Sequence, residues 1–102
     1  MTLKAFTVYD SKAEAYLQPF FMQSKGQAIR AFQDLANDET HQFGKYPADF
    51  TLFEIGEYDD ATALIKNHDH KINLGIALEH KRSYMDKPTS SPVQLLEPQL
   101  NN

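Results

Sequence analysis

Carboxylates crowd the middle of this sequence, where their spacing could support acid–base or metal chemistry. Tyr58-Asp59-Asp60 matches three letters of the metal-binding hairpin of nucleic-acid polymerases. That mechanism needs a third carboxylate and a polymerase domain, and a chain of 102 residues has no room for one. Because Asp is favoured in turns, we interpret the aspartate pair as a turn. Together with Glu54 and Glu57 it predicts a solvated acidic pole, since catalytic carboxylates need burial and a pocket.

His68-Asp69-His70 is the only metal-like spacing in the chain. In an extended segment both imidazoles would point to one side, and with His41 or His80 nearby they could bind zinc or nickel adventitiously. Solvent-exposed loop histidines show the same pattern, and we favour that interpretation.

Other catalytic signatures are missing from the sequence. There is no cysteine, which excludes disulfides, cysteine zinc sites and thiol nucleophiles together. No Ser-His-Asp order, P-loop or dinucleotide fingerprint is present. The sequence therefore predicts a protein that is not an enzyme and that needs no metal or cofactor.

Aromatic residues are plentiful, with seven Phe and five Tyr in a chain without Trp. Phe6, Phe32 and Phe53 are assigned to the core by default. The tyrosines at polar or edge positions are interleaved with lysines: Tyr9, Tyr16, Tyr46 and Tyr58, with Lys4, Lys12 and Lys45. Exposed rings beside cations hold single-stranded nucleic acid, because bases stack on the rings while the cations follow the backbone. Tyrosines at strand edges also form dimer contacts, so the spacing leaves both functions open.

The net charge of −4 is concentrated in one block. Residues 38–60 carry one base and seven acids, whereas residues 1–37 carry four bases and three acids. A mildly basic surface is therefore compatible with the acidic total, although an ordinary acidic surface has the same composition.

Ser24-Lys25-Gly26 begins a predicted helix, where free amides and Lys25 could hold a phosphate, but most helix N-termini bind water.

Strand periodicity covers residues 3–9, with Phe6 and Val8 on one face and the alternate residues on the other. Residues 16–22 predict a second strand. Pro19 cannot donate to a ladder and places that strand at a sheet edge, where a second copy could pair with it.

Ser24 and Gln27 form a capping box at the start of the predicted helix, whose apolar side chains recur on one stripe: Ala28, Ile29, Phe32, Leu35 and Ala36. The next strand, residues 50–58, places Phe53 and Ile55 on one face and apolar residues on the other as well. Such a strand is central, or its second face meets a partner.

Residues 61–66 are predicted as the returning strand of a hairpin, and residues 67–71 are polar. Apolar residues alternate over 72–80, which predicts a further strand that either continues to the end of this range or gives way to a short helix. The order β-β-α-β-β predicts an α+β fold, in which a small antiparallel sheet carries one helix on one face. The other face must then meet water, a second subunit or a ligand. Residues 1–82 are the predicted domain, and the Pro-, Ser- and Gln-rich residues 83–102 predict a flexible tail.

Neither a signal peptide nor a membrane-spanning run is visible, so we expect a protein that stays where it is made.

Three segments, residues 16–21, 28–38 and 47–60, resemble the small nonstructural protein family of gokushovirus-type microviruses, phages that package circular single-stranded DNA. The resemblance spans roughly residues 1–80. It implies a non-capsid protein of the host bacterial cytoplasm that serves viral DNA synthesis or packaging, and it carries no catalytic residues.

The leading hypothesis is thus a protein that binds single-stranded DNA, expected as a homodimer formed through the edge at residues 16–22 or through the open sheet face. Cations would contact phosphates and rings would stack on bases: Lys4, Lys12, Lys25, Arg30, Lys71 and Arg82 for the first, Tyr9, Tyr16 and Phe20 for the second. The alternative is an interaction factor for the phage initiator or a host replication protein. The acidic block favours that alternative because it would repel a phosphate backbone.

Overall fold

A computed structural model describes residues 1–82 of the chain, so the predicted tail over residues 83–102 lies outside the described part. The strands are β1 (Thr2–Asp10), β2 (Ala15–Tyr16), β3 (Phe20–Met22), β4 (Phe50–Asp59) and β5 (Leu64–Ile76). The helices are α1 (Lys25–Ala36) and α2 (Gln42–Lys45), with short 3₁₀ helices at Pro47–Asp49 and Ala77–His80.

The five strands form one antiparallel sheet in the order β2-β1-β4-β5, and β3 pairs with β1 along the same edge as β2. The predicted α+β class with an antiparallel sheet and one main helix is confirmed. Strand β4 lies between β1 and β5, which confirms its prediction as a central strand.

The core lies between the sheet and a single layer of helices. On β1 and β4, Phe6, Val8, Phe50 and Leu52 point into this layer and are almost fully buried. The buried residues of both α-helices and of the last 3₁₀ helix join the same cluster: Ala28, Phe32, Ala36, Phe43 and Ala77. All the described helices therefore cover one face of the sheet.

Helix α1 begins where its sequence predicts. The Ser24 hydroxyl accepts the amide of Gln27 at 3.2 Å, and the Gln27 side chain accepts the amide of Gln23 at 3.0 Å, one residue earlier than in the standard capping box. The stripe of Ala28, Phe32 and Ala36 then turns to the sheet.

The edge at residues 15–22 is broken at Pro19 into β2 and β3. Its middle stays attached to β1, because the amide of Leu17 donates to the carbonyl of Val8 at 2.8 Å and the Thr7 hydroxyl donates to the carbonyl of Leu17 at 2.8 Å. Pro19 is compatible with this position since an edge strand has no second neighbour to receive an N–H. The predicted edge is thus correct, and it forms in two pieces.

Strand β5 departs most from the sequence prediction. The pattern indicated two short strands separated by a polar stretch, but residues 64–76 form one strand. Between the pairs Gly56↔Asn67 and Glu54↔Ile72, β4 advances two residues while β5 advances five. Four residues of β5 therefore lie opposite the single residue Ile55 of β4, and they form a large bulge, here called the bulged segment (residues 68–71). The predicted short helix is confirmed as the 3₁₀ helix Ala77–His80, reached through Gly75 at φ +106°.

Candidate nucleic-acid interface

The face of the sheet opposite the helices carries a row of rings, which we call the open face. On β1 it includes Tyr9, which alternates with the buried Val8, and on β4 it includes Phe53 and Ile55. Tyr9 lies opposite Tyr16 on β2, with their ring centroids 4.8 Å apart, and Tyr16 lies 6.1 Å from Phe53. Three rings from three strands thus form one connected aromatic surface.

A second ring pair continues the open face toward the start of β1. Phe21 on β3 and Tyr58 on β4 have centroids 5.1 Å apart. Tyr58 is paired with Leu3 on one side and with Ile65 on the other. Counted along β1 from Leu3 to Tyr9, the open face extends roughly 20 Å at about 3.3 Å per residue.

Lys71 brings a positive charge over these rings. Its ammonium lies 5.7 Å from the centroid of Tyr16 and 6.0 Å from that of Phe53, within cation–π range. Lys71 belongs to the bulged segment of β5, and in the sheet order both β4 and β1 lie between β5 and Tyr16 on β2. Bulges commonly re-aim a side chain in this way.

Two clefts flank Lys71 on the open face. The cleft toward β2 has a volume of about 280 Å³ and is lined mostly by apolar groups, including Tyr16, Leu17 and Pro19. The cleft toward β5 has a volume of about 590 Å³ and lies between Phe53, Ile55 and the polar residues 67–71. Both clefts share Ile55 and Lys71.

Four of the predicted nucleic-acid residues lie on or beside this face. Tyr9, Tyr16 and Lys71 meet there directly. Lys12 is exposed in the turn that joins β1 to β2, next to the Tyr9–Tyr16 pair, where the Asp10 carboxylate accepts the Lys12 amide at 3.0 Å.

Two further predicted residues turn to the helix-bearing side. The ammonium of Lys4 lies 3.2 Å from the carboxylate of its cross-strand partner Glu57. Phe20 stacks on the buried Phe6 with centroids 5.6 Å apart and packs against the core. Neither side chain joins the open face.

The last three predicted residues lie in the helix layer. Lys25 and Arg30 are exposed on α1. Arg82 follows the last 3₁₀ helix, and its backbone amide donates to the Asn37 side chain at 2.6 Å. A ligand on the open face would not reach these cations. It would also not reach the predicted phosphate site at Ser24-Lys25-Gly26, which lies at the start of α1.

Sequence reasoning missed Phe53, Phe21 and Ile55 as members of the interface. The alternation along residues 50–58 placed Phe53 and Ile55 on one face, but it did not tell which face the helix covers. Phe53 was therefore assigned to the core, whereas the structure leaves it half-buried on the open face.

The predicted acidic pole is largely paired in the structure. Glu54 is wrongly predicted as solvated, because it is only 5% exposed and its carboxylate lies 2.7 Å from His68 Nε2. His68 was predicted as an exposed loop residue and is instead a half-buried strand residue held by this contact, since a buried carboxylate needs a partner. Glu57 pairs with Lys4, and Glu39 lies 3.4 Å from Lys81.

Hydrogen bonds hold other carboxylates of the block. The hydroxyl and the amide of Thr40 donate to Asp38 at 2.6 and 2.9 Å and keep the pKa of that carboxyl below its usual value. The amide of Ala61 donates to Asp59 at 2.9 Å in the turn between β4 and β5, which confirms the turn interpretation. Within residues 1–82 no three His, Asp or Glu side chains lie close enough to hold a metal ion.

Comparisons with known proteins place the chain in one family. No curated protein and no solved structure matches it. Among the described residues, no helix is long and apolar enough to cross a membrane. The sequence model of the family described as Phage ORF5 protein matches residues 3–79, which include all of the sheet and helix layer except the first residue of β1 and the last residue of the final 3₁₀ helix. The chain therefore belongs to the Phage ORF5 protein family.

Proposed function

We propose that this protein is a non-enzymatic phage accessory protein that binds single-stranded DNA on its open face during viral DNA replication or packaging. The observation that carries the proposal is the connected surface of Tyr9, Tyr16 and Phe53 with the ammonium of Lys71 above it. Proteins that bind single strands without catalysis combine such stacking platforms with cations along the backbone.

The rings are available to a ligand. Tyr16 is 48% exposed and Phe21 is 40% exposed, while Tyr9, Phe53 and Tyr58 are half-buried with one side against the sheet. A base stacked on such a ring contributes about 1–3 kcal/mol. Three rings would therefore supply several kcal/mol, enough to order a flexible strand of DNA.

The charges on this side of the molecule are compatible with a phosphate backbone. Lys71 and Lys12 flank the Tyr9–Tyr16 pair. Glu54 and Glu57 lie opposite Phe6 and Lys4 on the helix-bearing side, where His68 and Lys4 engage their carboxylates. The acidic block thus presents less uncompensated charge to the open face than its composition indicates.

The phage family supports a role in the infected bacterium, and the segments at residues 16–21, 28–38 and 47–60 support the gokushovirus-type microviruses as the group of origin. Those phages carry single-stranded DNA, which is the ligand that the open face suits best. We place the protein in the host cytoplasm during viral DNA synthesis.

Fluorescence anisotropy with a labelled oligo-dT tests the proposal. Tyr16→Ala removes an exposed ring of the open face, and Tyr46→Ala is the matched control, since Tyr46 is 60% exposed in the helix layer. We expect Tyr16→Ala to weaken binding roughly 5- to 150-fold, as the loss of one stacked base predicts, and Tyr46→Ala to have little effect. Absence of binding by the unmodified protein at low salt would refute the proposal.

A protein-interaction factor remains the second candidate because β5 exposes apolar side chains. Leu64 is 69% exposed, Ile65 59% and Ile72 44%. A pull-down of the tagged protein from infected cells, treated with nuclease, distinguishes the two functions. A stoichiometric protein partner that survives the treatment, together with no oligonucleotide binding, would support this second function.

A further inference from the structure

The cleft between β4 and the bulged segment differs from the rest of the open face in its chemistry. Its floor is Phe53 and Ile55, and its rim is residues 67–71 of β5. Its volume of about 590 Å³ is within the usual range of small-molecule sites, about 300–1,000 Å³. A flat ring seated here could lie against Phe53 while its edge faces the rim.

The rim carries polar groups that the protein leaves free. Asn67 and Asp69 are exposed, and neither side chain makes a hydrogen bond or ion pair with any residue among 1–82. His68 differs, because it is committed to Glu54 at 2.7 Å. The groups that face the cleft therefore include an unpaired carboxylate and an unpaired amide beside an aromatic floor.

We propose that this cleft binds one nucleobase that bears an exocyclic amino group, an inference that rests on the proposed binding of single-stranded DNA. The base would stack on Phe53, its amino group would donate to the Asp69 carboxylate, and Lys71 would contact an adjacent phosphate. A carboxylate that accepts from the N4 amino group of cytosine is an established mode of base recognition. Uracil and thymine present a carbonyl at that position, so the same carboxylate repels them.

The cleft toward β2 carries no such groups and would hold a base by stacking alone. Its lining is nearly all apolar, with Tyr16, Leu17 and Pro19. The open face would then combine sequence-tolerant stacking at one cleft with a preference for particular bases at the other. Lys71 stands between the two.

Oligo-dC and oligo-dU of equal length test this inference, because the two bases differ only along the edge that the rim would contact. The unmodified protein should bind oligo-dC roughly 5- to 100-fold more tightly than oligo-dU. Asp69→Ala should bring that ratio close to one. Asp34→Ala is the matched control, since Asp34 is an exposed carboxylate on α1 and its loss should leave the ratio unchanged.

The ratio of the affinities for oligo-dC and oligo-dU distinguishes the base-selective cleft from DNA binding in general. Equal binding of both oligonucleotides by the unmodified protein, or a preference that Asp69→Ala leaves intact, would overturn the base-selective cleft while DNA binding itself stands. If neither oligonucleotide binds, the proposed function fails and the cleft assignment fails with it. Because Asp69 is exposed and unpaired among the described residues, a folding defect is not expected to confuse the result.

Discussion

The position of the Lys71 ammonium depends on the folded structure and could not be predicted from the residues that neighbour Lys71 in the sequence. In the sequence Lys71 lies in the polar stretch over residues 67–71, with no tyrosine within ten residues, whereas Lys4 and Lys12 lie close to Tyr9. In the structure Lys4 is paired with Glu57, whereas the ammonium of Lys71 lies over two rings. The difference comes from the cross-strand register, which spacing along the chain does not reveal.

Replacing Lys71 with Gln should weaken DNA binding and flatten its salt dependence. One lost phosphate contact lowers the magnitude of the slope of log K against log salt by about 0.7 for single strands. Lys45→Gln is the control, since Lys45 is exposed in the last turn of α2. Anisotropy titrations at several salt concentrations give both slopes. An unchanged slope for Lys71→Gln would show that Lys71 contacts no phosphate.

Among the elements, those with regular periodicity could be predicted from the sequence. Strands β1 and β4, helix α1 and the edge at Pro19 all form where alternation, the capping residues and proline place them. The existence of an open face could also be predicted, because one helix covers only one face of a sheet. The residues that line the open face could not be predicted, because only the pairing of β1 with β4 shows that Phe53 lies on the same side as Tyr9.

The bulged segment escaped prediction, and a tertiary contact holds it to the rest of the sheet. Residues 67–71 have the polar composition of a loop, and the segment remains in the sheet with His68 attached to the buried Glu54. Local propensity carries no information on that partner. The same contact anchors the start of the segment that ends at Lys71, so the Glu54–His68 pair helps to position the cation.

His68→Ala should destabilise the protein by about 1–3 kcal/mol, because the buried carboxylate of Glu54 loses its partner. Urea denaturation measures the change. His70→Ala is the matched control, since His70 is exposed and makes no side-chain hydrogen bond within residues 1–82. The double variant Glu54→Gln/His68→Ala should recover part of the loss. Equal stability of the two single histidine variants would contradict a structural role for the pair.

For the molecule as a whole, the single helix layer decides where a partner can bind. The helices occupy one side of the sheet, and the connected rings of the open face occupy the other. The predicted set of nucleic-acid residues is therefore divided between two sides of the molecule. A single DNA strand on the open face can meet Tyr9, Lys12, Tyr16 and Lys71, and the helix-layer cations are left to other roles.

We expect a homodimer that joins through a sheet edge and leaves the open face free for DNA. Light scattering should give twice the chain mass of 11.7 kDa, and added oligonucleotide should increase that mass without dissociating the dimer. A dimer that dissociates into monomers on adding oligonucleotide would place the second copy on the open face. A monomer at all concentrations would rule out the dimer.

The location of the DNA strand is the central claim, and photo-cross-linking tests it most directly. An oligonucleotide containing 5-iododeoxyuridine cross-links to aromatic side chains that stack on its bases, and mass spectrometry of the digested product identifies the residues. We predict cross-links at Tyr16 or Tyr9, because the proposed cleft over Phe53 disfavours a base with a carbonyl at the position of the cytosine amino group. Cross-links confined to Tyr46 or to peptides of α1 would contradict an interface on the open face.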